Sequence, residues 1–152
     1  KNPTATPLCL TPEAQMQMNG GRLEVVPIPQ GSFAEMIRAE GAGLGGVITP
    51  TGVGTLVEEG EHVHGKIEIE GRTYLVEKPL RADYALISGY NIDKAGNVWY
   101  KGTMRNFNQA MATAAEVVIA EGENIVEVGA IAHEDIVTPG VLVDYVAVPE
   151  EV

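Results

Sequence analysis

Residues 29–55, PQGSFAEMIRAEGAGLGGVITPTGVGT, constrain the fold more than any other stretch of this chain. Seven of them are glycine, at positions 31, 41, 43, 45, 46, 52 and 54. A helix or strand interior loses stability at each such residue, because glycine gives up the most conformational freedom on ordering. Between the two glycine-dense ends, Phe33, Met36 and Ile37 recur at helical spacing. The stretch therefore reads as loop, helix, loop, with backbone that passes close to a ligand or to another piece of chain. Ser32 is the expected N-cap of the helix, and Glu35 completes a capping box.

What surrounds this stretch points to an α/β fold. The chain has 152 residues, 45% hydrophobic but only 5% aromatic, so aliphatic side chains must do the packing, as in sheets covered by helices. A single domain spanning 1–152 is expected. Residues 1–11 carry Pro3 and Pro7 and read as an irregular arm. A short helix follows from Pro12 to Asn19, with Thr11 as N-cap and Gly20 and Gly21 as its stop. Residues 23–28, LEVVPI, read as a strand. Residues 67–76 alternate apolar and polar about Gly71, the pattern of a small add-on β-hairpin. Tyr84 to Ile87 is an apolar run suited to a parallel strand, and 98–100, 116–120 and 141–148 supply further strands. Residues 108–115 read as a helix capped by Asn106 or Asn108. The sum is an open, largely parallel sheet with flanking helices.

Charge narrows the function classes. With 10 Lys and Arg against 21 Asp and Glu the formal charge is -11, which argues against nucleic acid or an anionic membrane as a partner. The same charge repels phosphates, so a polyphosphate ligand is not gripped mainly by this chain. The single cysteine, Cys9, excludes an internal disulfide and suits a reducing compartment, read as the cytoplasm. No apolar run is long enough for a helical membrane span, and no signal peptide is legible.

Few residues carry chemistry on their own. The run Gly41, Ala42, Gly43, Leu44, Gly45, Gly46 follows a helix, whereas a dinucleotide fingerprint precedes one, so a helix C-cap is preferred over phosphate binding. Thr49, Thr51, Gly52, Gly54 and Thr55 either line a pocket for a carboxylate or carbonyl or form a turn capped by its own hydroxyls. Gln30, beside Gly31, can orient a small acid without adding charge. His62 and His64 flank Val63 but lack a third ligand and read as solvated, so no metal site is expected. Glu58, Glu59 and Glu61 read as a solvated turn, and Glu77 and Asp83 as surface partners of Lys78 and Arg81. No nucleophile with an activating base is legible.

Five ordered blocks carry a resemblance: Pro29-Gln30-Gly31; the glycine run with residues 49–55; residues 77–83, EKPLRAD; residues 105–108, RNFN; and residues 137–140, VTPG. Over about 12–148 the chain resembles the alpha subunit of the 3-oxoacid coenzyme A transferases, the acetate or butyrate to acetoacetate type. The resemblance implies a Rossmann-like α/β subunit paired with a related beta subunit in a hetero-oligomer. It implies transfer of coenzyme A from an acyl-CoA to a short-chain carboxylate or 3-oxoacid. The nucleophilic glutamate is then expected on the beta subunit, with no catalytic residue on this chain and no permanently bound cofactor, the coenzyme A thioester being a substrate.

The alpha subunit is expected to supply a wall of the acyl pocket: Gln30, Gly31, Gly43, Gly45, Gly46, Thr49, Thr51, Gly52, Gly54 and Thr55. The family's Gly-Gly-Phe signature is absent, which implies an N-terminally incomplete subunit, and Glu40 stands where the family usually has glycine. Two other classes compete: a non-catalytic assembly module of the same fold, and a sugar-phosphate isomerase-like protein, the latter disfavoured by the lack of a basic phosphate site.

Overall fold

The computed structural model describes residues 12–23 and 25–148, so the expectations for residues 1–11, Thr11 as a cap among them, lie outside the described residues. Two compact units emerge, one built from residues up to 36 with 46–78, the other from 37–45 and residues beyond 78.

The first unit contains α1 (Pro12–Asn19), most of α2 (Gln30–Gly41), and strands β1 (Val47–Thr49), β2 (Val63–Ile69) and β3 (Arg72–Glu77). Pro12 opens α1 as expected, since its missing N–H is one of the helix's orphan donors in any case. The helix stops at Gly21, whose φ of +66° lets its N–H reach Met18 and that of Arg22 reach Gln17. Among the described residues of 23–28 the expected strand does not form. Pro27 and Pro29 have no N–H to give to a ladder, and only an isolated bridge residue, Val26, survives there.

α2 begins at Gln30, two residues before the expected cap: the Phe33 N–H bonds the Pro29 carbonyl. Ser32 therefore lies inside the first turn, buried, its hydroxyl without a partner, and no capping box forms. Met36 and Ile37 are buried as their spacing demands.

β1, β3 and β2 form an antiparallel sheet in that order. The predicted hairpin is its β2–β3 pair, extended by β1. Ile69 faces Arg72 across a two-residue loop, Glu70 and Gly71, with φ of 51° and 75°, as a type I′ turn requires.

The second unit holds β4 (Ala82–Asp93), β5 (Val98–Trp99), α3 (Asn108–Met111), β6 (Ala115–Val126) and β7 (Tyr145–Ala147). The sheet order is β5-β4-β6-β7; β4 with β6 and β6 with β7 run parallel, and only β5 is antiparallel. This is the open, largely parallel α/β sheet read from sequence. Its core joins Ala85, Ile87, Val118 and Ala120 of one sheet face to Ile92, Val98, Tyr100 and Ala112. Gly89 and Gly122 are register partners. A Cβ on Gly89 would stand 2.3 Å from the Val98 side chain, and one on Gly122 2.9 Å from Ile92, so the paired glycines make room for this part of the core.

The helix expected over 108–115 is only Asn108–Met111. Neither asparagine caps it: Asn108 bonds the Ser88 backbone and the Met104 carbonyl through its amide. The strand expected over 141–148 shrinks to β7, because Gly140–Leu142 coils into a 3-10 turn.

Candidate functional site

The hydroxyl and glycine loop after β1 is tied to itself. Thr49 Oγ1 accepts the Thr51 N–H at 3.1 Å. Thr55 Oγ1 donates to the Gly52 carbonyl at 2.7 Å and accepts the Val57 N–H at 3.2 Å, capping the 3-10 turn Leu56–Glu59. Gly52 and Gly54 take φ of 89° and 78°, a region that strains any residue with a Cβ. A Cβ on Gly52 would also stand 2.8 Å from Val57. The Gly54 N–H donates to Glu58, which in turn pairs with Lys66. Glu58 is thus part of the loop's framework and not the solvated turn residue its neighbours suggested.

This framework shapes two adjoining hollows. One, about 460 Å³, is lined by Val26, Pro27, Thr55, Leu56, Val57, Gly60 and His62, an apolar wall with few polar atoms. The other, about 620 Å³, is lined by Gly54, Thr55, Leu56, Glu58 and Glu59. Of the residues expected to wall an acyl pocket, Gly54 and Thr55 reach these hollows. Thr49, Thr51 and Gly52 fold the loop behind them.

Gln30 and Gly31 are the first two residues of α2, both exposed, and Gly31 has open space around it. Gly46 is held by contact, since a Cβ there would stand 3.0 Å from the Glu77 carbonyl. Gly43 and Gly45 belong to the second unit. Gly43, at φ +67°, closes α2: its N–H bonds Glu40 and that of Leu44 bonds Ala39. That is the C-cap preferred on sequence grounds.

His62 corrects the sequence reading. Its two ring nitrogens are closed off from solvent and have no hydrogen-bond partner. The ring lies on Gly60, where a Cβ would stand 2.3 Å from His62 Cε1. The signal was Gly60, two residues upstream, a flat place for a ring to settle. His64 is exposed. Glu77 is a second correction: it is fully buried, both carboxylate oxygens lack a partner, and Lys78 donates instead to the Glu61 carbonyl. Arg81 pairs with Glu116 at 2.9 Å. Burial of Glu77 follows from strand alternation, which places it on the same face as the buried Leu75.

Comparison with known proteins then fixes the family. The coenzyme A transferase family model matches residues 3–148, extending the resemblance into the N-terminal stretch beyond the start at 12 expected from motifs. The chain is 46% identical over 140 residues to the acetate CoA-transferase alpha chain of Escherichia coli, covering 92% of this chain and 62% of that one. It is 50% identical over 135 residues to the acetoacetyl-CoA:acetate/butyrate CoA transferase alpha subunit of Clostridium acetobutylicum, covering 89% and 61%. The chain thus spans about three fifths of the length of these two relatives. Among solved structures, glutaconate coenzyme A-transferase from Acidaminococcus fermentans superposes with a TM-score of 0.80 over 88% of this chain and 48% of that one, at 19% identity, a likeness of fold. Family model, relatives and fold agree, and the chain belongs to the coenzyme A transferase family.

Proposed function

We propose that the chain is the alpha subunit of a coenzyme A transferase that moves coenzyme A between an acyl-CoA and a short-chain carboxylate or 3-oxoacid. The observation that carries this reading is the family match over residues 3–148 together with two relatives, at 46% and 50% identity, both named as alpha subunits. The partner is a beta subunit in a hetero-oligomer, and the place of action is the cytoplasm. Among the described residues no helix is long and apolar enough to cross a membrane.

The chemistry divides between the chains. On the beta subunit, a glutamate attacks the thioester carbonyl and expels the coenzyme A thiolate, leaving an acyl anhydride. The thiolate then attacks the glutamyl carbonyl, releasing the carboxylate and leaving a glutamyl thioester. Two moderate steps replace one difficult transfer. This chain shapes the acyl side: Val26, Pro27, Leu56 and Val57 give an apolar wall of the right scale for a few carbons, and Thr55 gives it a polar edge. Gly46, Thr49, Thr51, Gly52 and Gly54 hold the loops of the same unit, while Gly43 and Gly45 join the reading on the family resemblance alone. Gln30, with Gly31 at the start of α2, offers an uncharged amide for the acid's carboxylate. On a chain of charge -11, a neutral contact for the acid and phosphates gripped by the partner are the arrangement electrostatics favours.

The test is reconstitution. Mixed with a beta subunit of the family, the chain is expected to transfer coenzyme A from acetoacetyl-CoA to acetate, while neither chain does so alone. In the mixture Gln30→Ala is expected to raise KM for the acid about fivefold, the worth of one neutral hydrogen bond, with unchanged thermal stability. Failure of the two chains to associate contradicts the reading; unchanged kinetics in the variant removes Gln30 from it.

A further inference from the structure

The hollow of about 460 Å³ has two ends of different character. Thr55 and Leu56 line both it and the adjoining hollow, so they stand where the two meet. Gly60 and His62 line the first hollow alone. A hydroxyl therefore marks the shared end, and an imidazole stands at the other. The backbone that carries this imidazole is tied down: the His62 carbonyl accepts the Lys78 N–H at 2.8 Å, and the Gly60 carbonyl accepts the Val63 N–H at 2.9 Å. Gly60 has φ of -68° and ψ of 142°, a conformation open to any residue. What a side chain there would meet is the ring, with a Cβ standing 2.3 Å from Cε1 and 2.5 Å from Nδ1. Both ring nitrogens are buried and unpartnered, so the side chain can offer the hollow only carbon. A buried polar group left unpaired in a native fold calls for an explanation.

We propose that His62 is the chain-length stop for the acid: its ring is the surface against which the alkyl tail of a straight-chain carboxylic acid ends. The inference rests on the reading that this hollow takes the acyl chain. Polarity sets the direction of the tail. The head group keeps its hydrogen bonds at the Thr55 end, and each methylene beyond it leaves water for Val26, Pro27 and Val57 until the tail reaches Gly60 and His62. Further methylenes have to stay in water or displace the ring. The tied backbone and the close seat on Gly60 resist that displacement. The ring thus acts by its bulk and not as an acid or base, because neither nitrogen is open to the hollow.

The test is a ladder of acceptor acids, acetate, butyrate and hexanoate, offered to the chain paired with a beta subunit of the family, with acetoacetyl-CoA as donor. The quantity read is the ratio of kcat/KM for hexanoate to that for acetate, which does not depend on how much of a variant is folded. His62→Ala is expected to raise this ratio at least about fourfold, the worth of one more methylene taken out of water, and His62→Trp to lower it severalfold. His62→Leu, of similar bulk and without nitrogens, is expected to stay within about twofold of the wild-type ratio. His64→Ala, at an exposed residue outside the hollow, is expected to match the wild-type ratio. If His62→Ala yields no soluble pair, the Trp and Leu variants read the same ring. A ratio that the Ala and Trp variants leave unmoved overturns the stop and leaves the transfer reading standing. A shift in His62→Leu equal to that in His62→Ala also overturns the stop, since the ring then acts through its nitrogens. A wild-type pair that transfers to none of the acids overturns both.

Discussion

Tyr100 shows how one buried hydroxyl writes itself into stability. It is 2% exposed and shares a hydrogen bond of 2.7 Å with Thr138, itself 1% exposed. Burial raises its pKa above the ordinary 10.0, and the bond to Thr138 pulls the other way with less effect. A raised folded pKa means that this contribution is fully present below pH 10 and is lost as pH rises from there through the folded value. At neutral pH Tyr100→Phe is expected to cost about 1 kcal/mol, since Thr138 loses its partner. Above about pH 10 the gap between wild type and variant in urea unfolding is expected to narrow. A gap that stays constant with pH contradicts this expectation. Asn106 is the opposite case. Its φ of 31° and ψ of -125°, followed by Phe107 at -84° and -10°, match the central pair of a type II′ turn, where glycine is at home. Asn106→Gly is expected to raise stability by about 1 kcal/mol as strain is relieved; a loss in urea unfolding would show that the turn is not strained. The residues hardest to read from sequence were those where neighbourhood and fold disagree. Glu77 stands beside Lys78 in the chain, but the alternation it shares with Leu75 sends it inward.

Elements were legible where local chemistry and tertiary packing agree. The hairpin turn is the clearest, because Gly71 satisfies a backbone need that little else can. Glu70 does not, at φ 51°, so Glu70→Asn is expected to gain roughly 0.5 kcal/mol, read as a rise in melting temperature, while Gly71→Ala is expected to lower it. α2 and its glycine C-cap were legible for the same reason. The long strands were visible only at their apolar centres. β4 and β6 each run 12 residues, carrying Ser88, Asn91, Glu121 and Asn124 within a ladder that periodicity alone did not extend to them. The strand expected at 141–148 failed on packing: the Gly140 N–H is taken by Asn97 Oδ1 at 2.8 Å, and Val141 finds no core to enter. Asp93, accepting the Ala95 and Asn97 N–H groups and the Asn97 amide, fixes that turn from the other side.

At the scale of the whole molecule, the family was legible through motifs and not through any reactive group. The ordered glycine and threonine blocks named the family, and no nucleophile with an activating base was found beside them. Of the candidate site, sequence reached the loop at Gly54 and Thr55, read His62 as solvated, and missed Val26, Pro27 and Val57, which line one hollow together with Thr55 and His62. The proposed division of labour between two chains stands or falls on where the covalent intermediate forms. To trap it, the chain is incubated with the beta subunit plus acetoacetyl-CoA without an acceptor acid, quenched, and the two polypeptides weighed separately by mass spectrometry. The expected result is an unmodified mass for this chain and a coenzyme A adduct on a glutamate of its partner. An adduct on this chain contradicts the division.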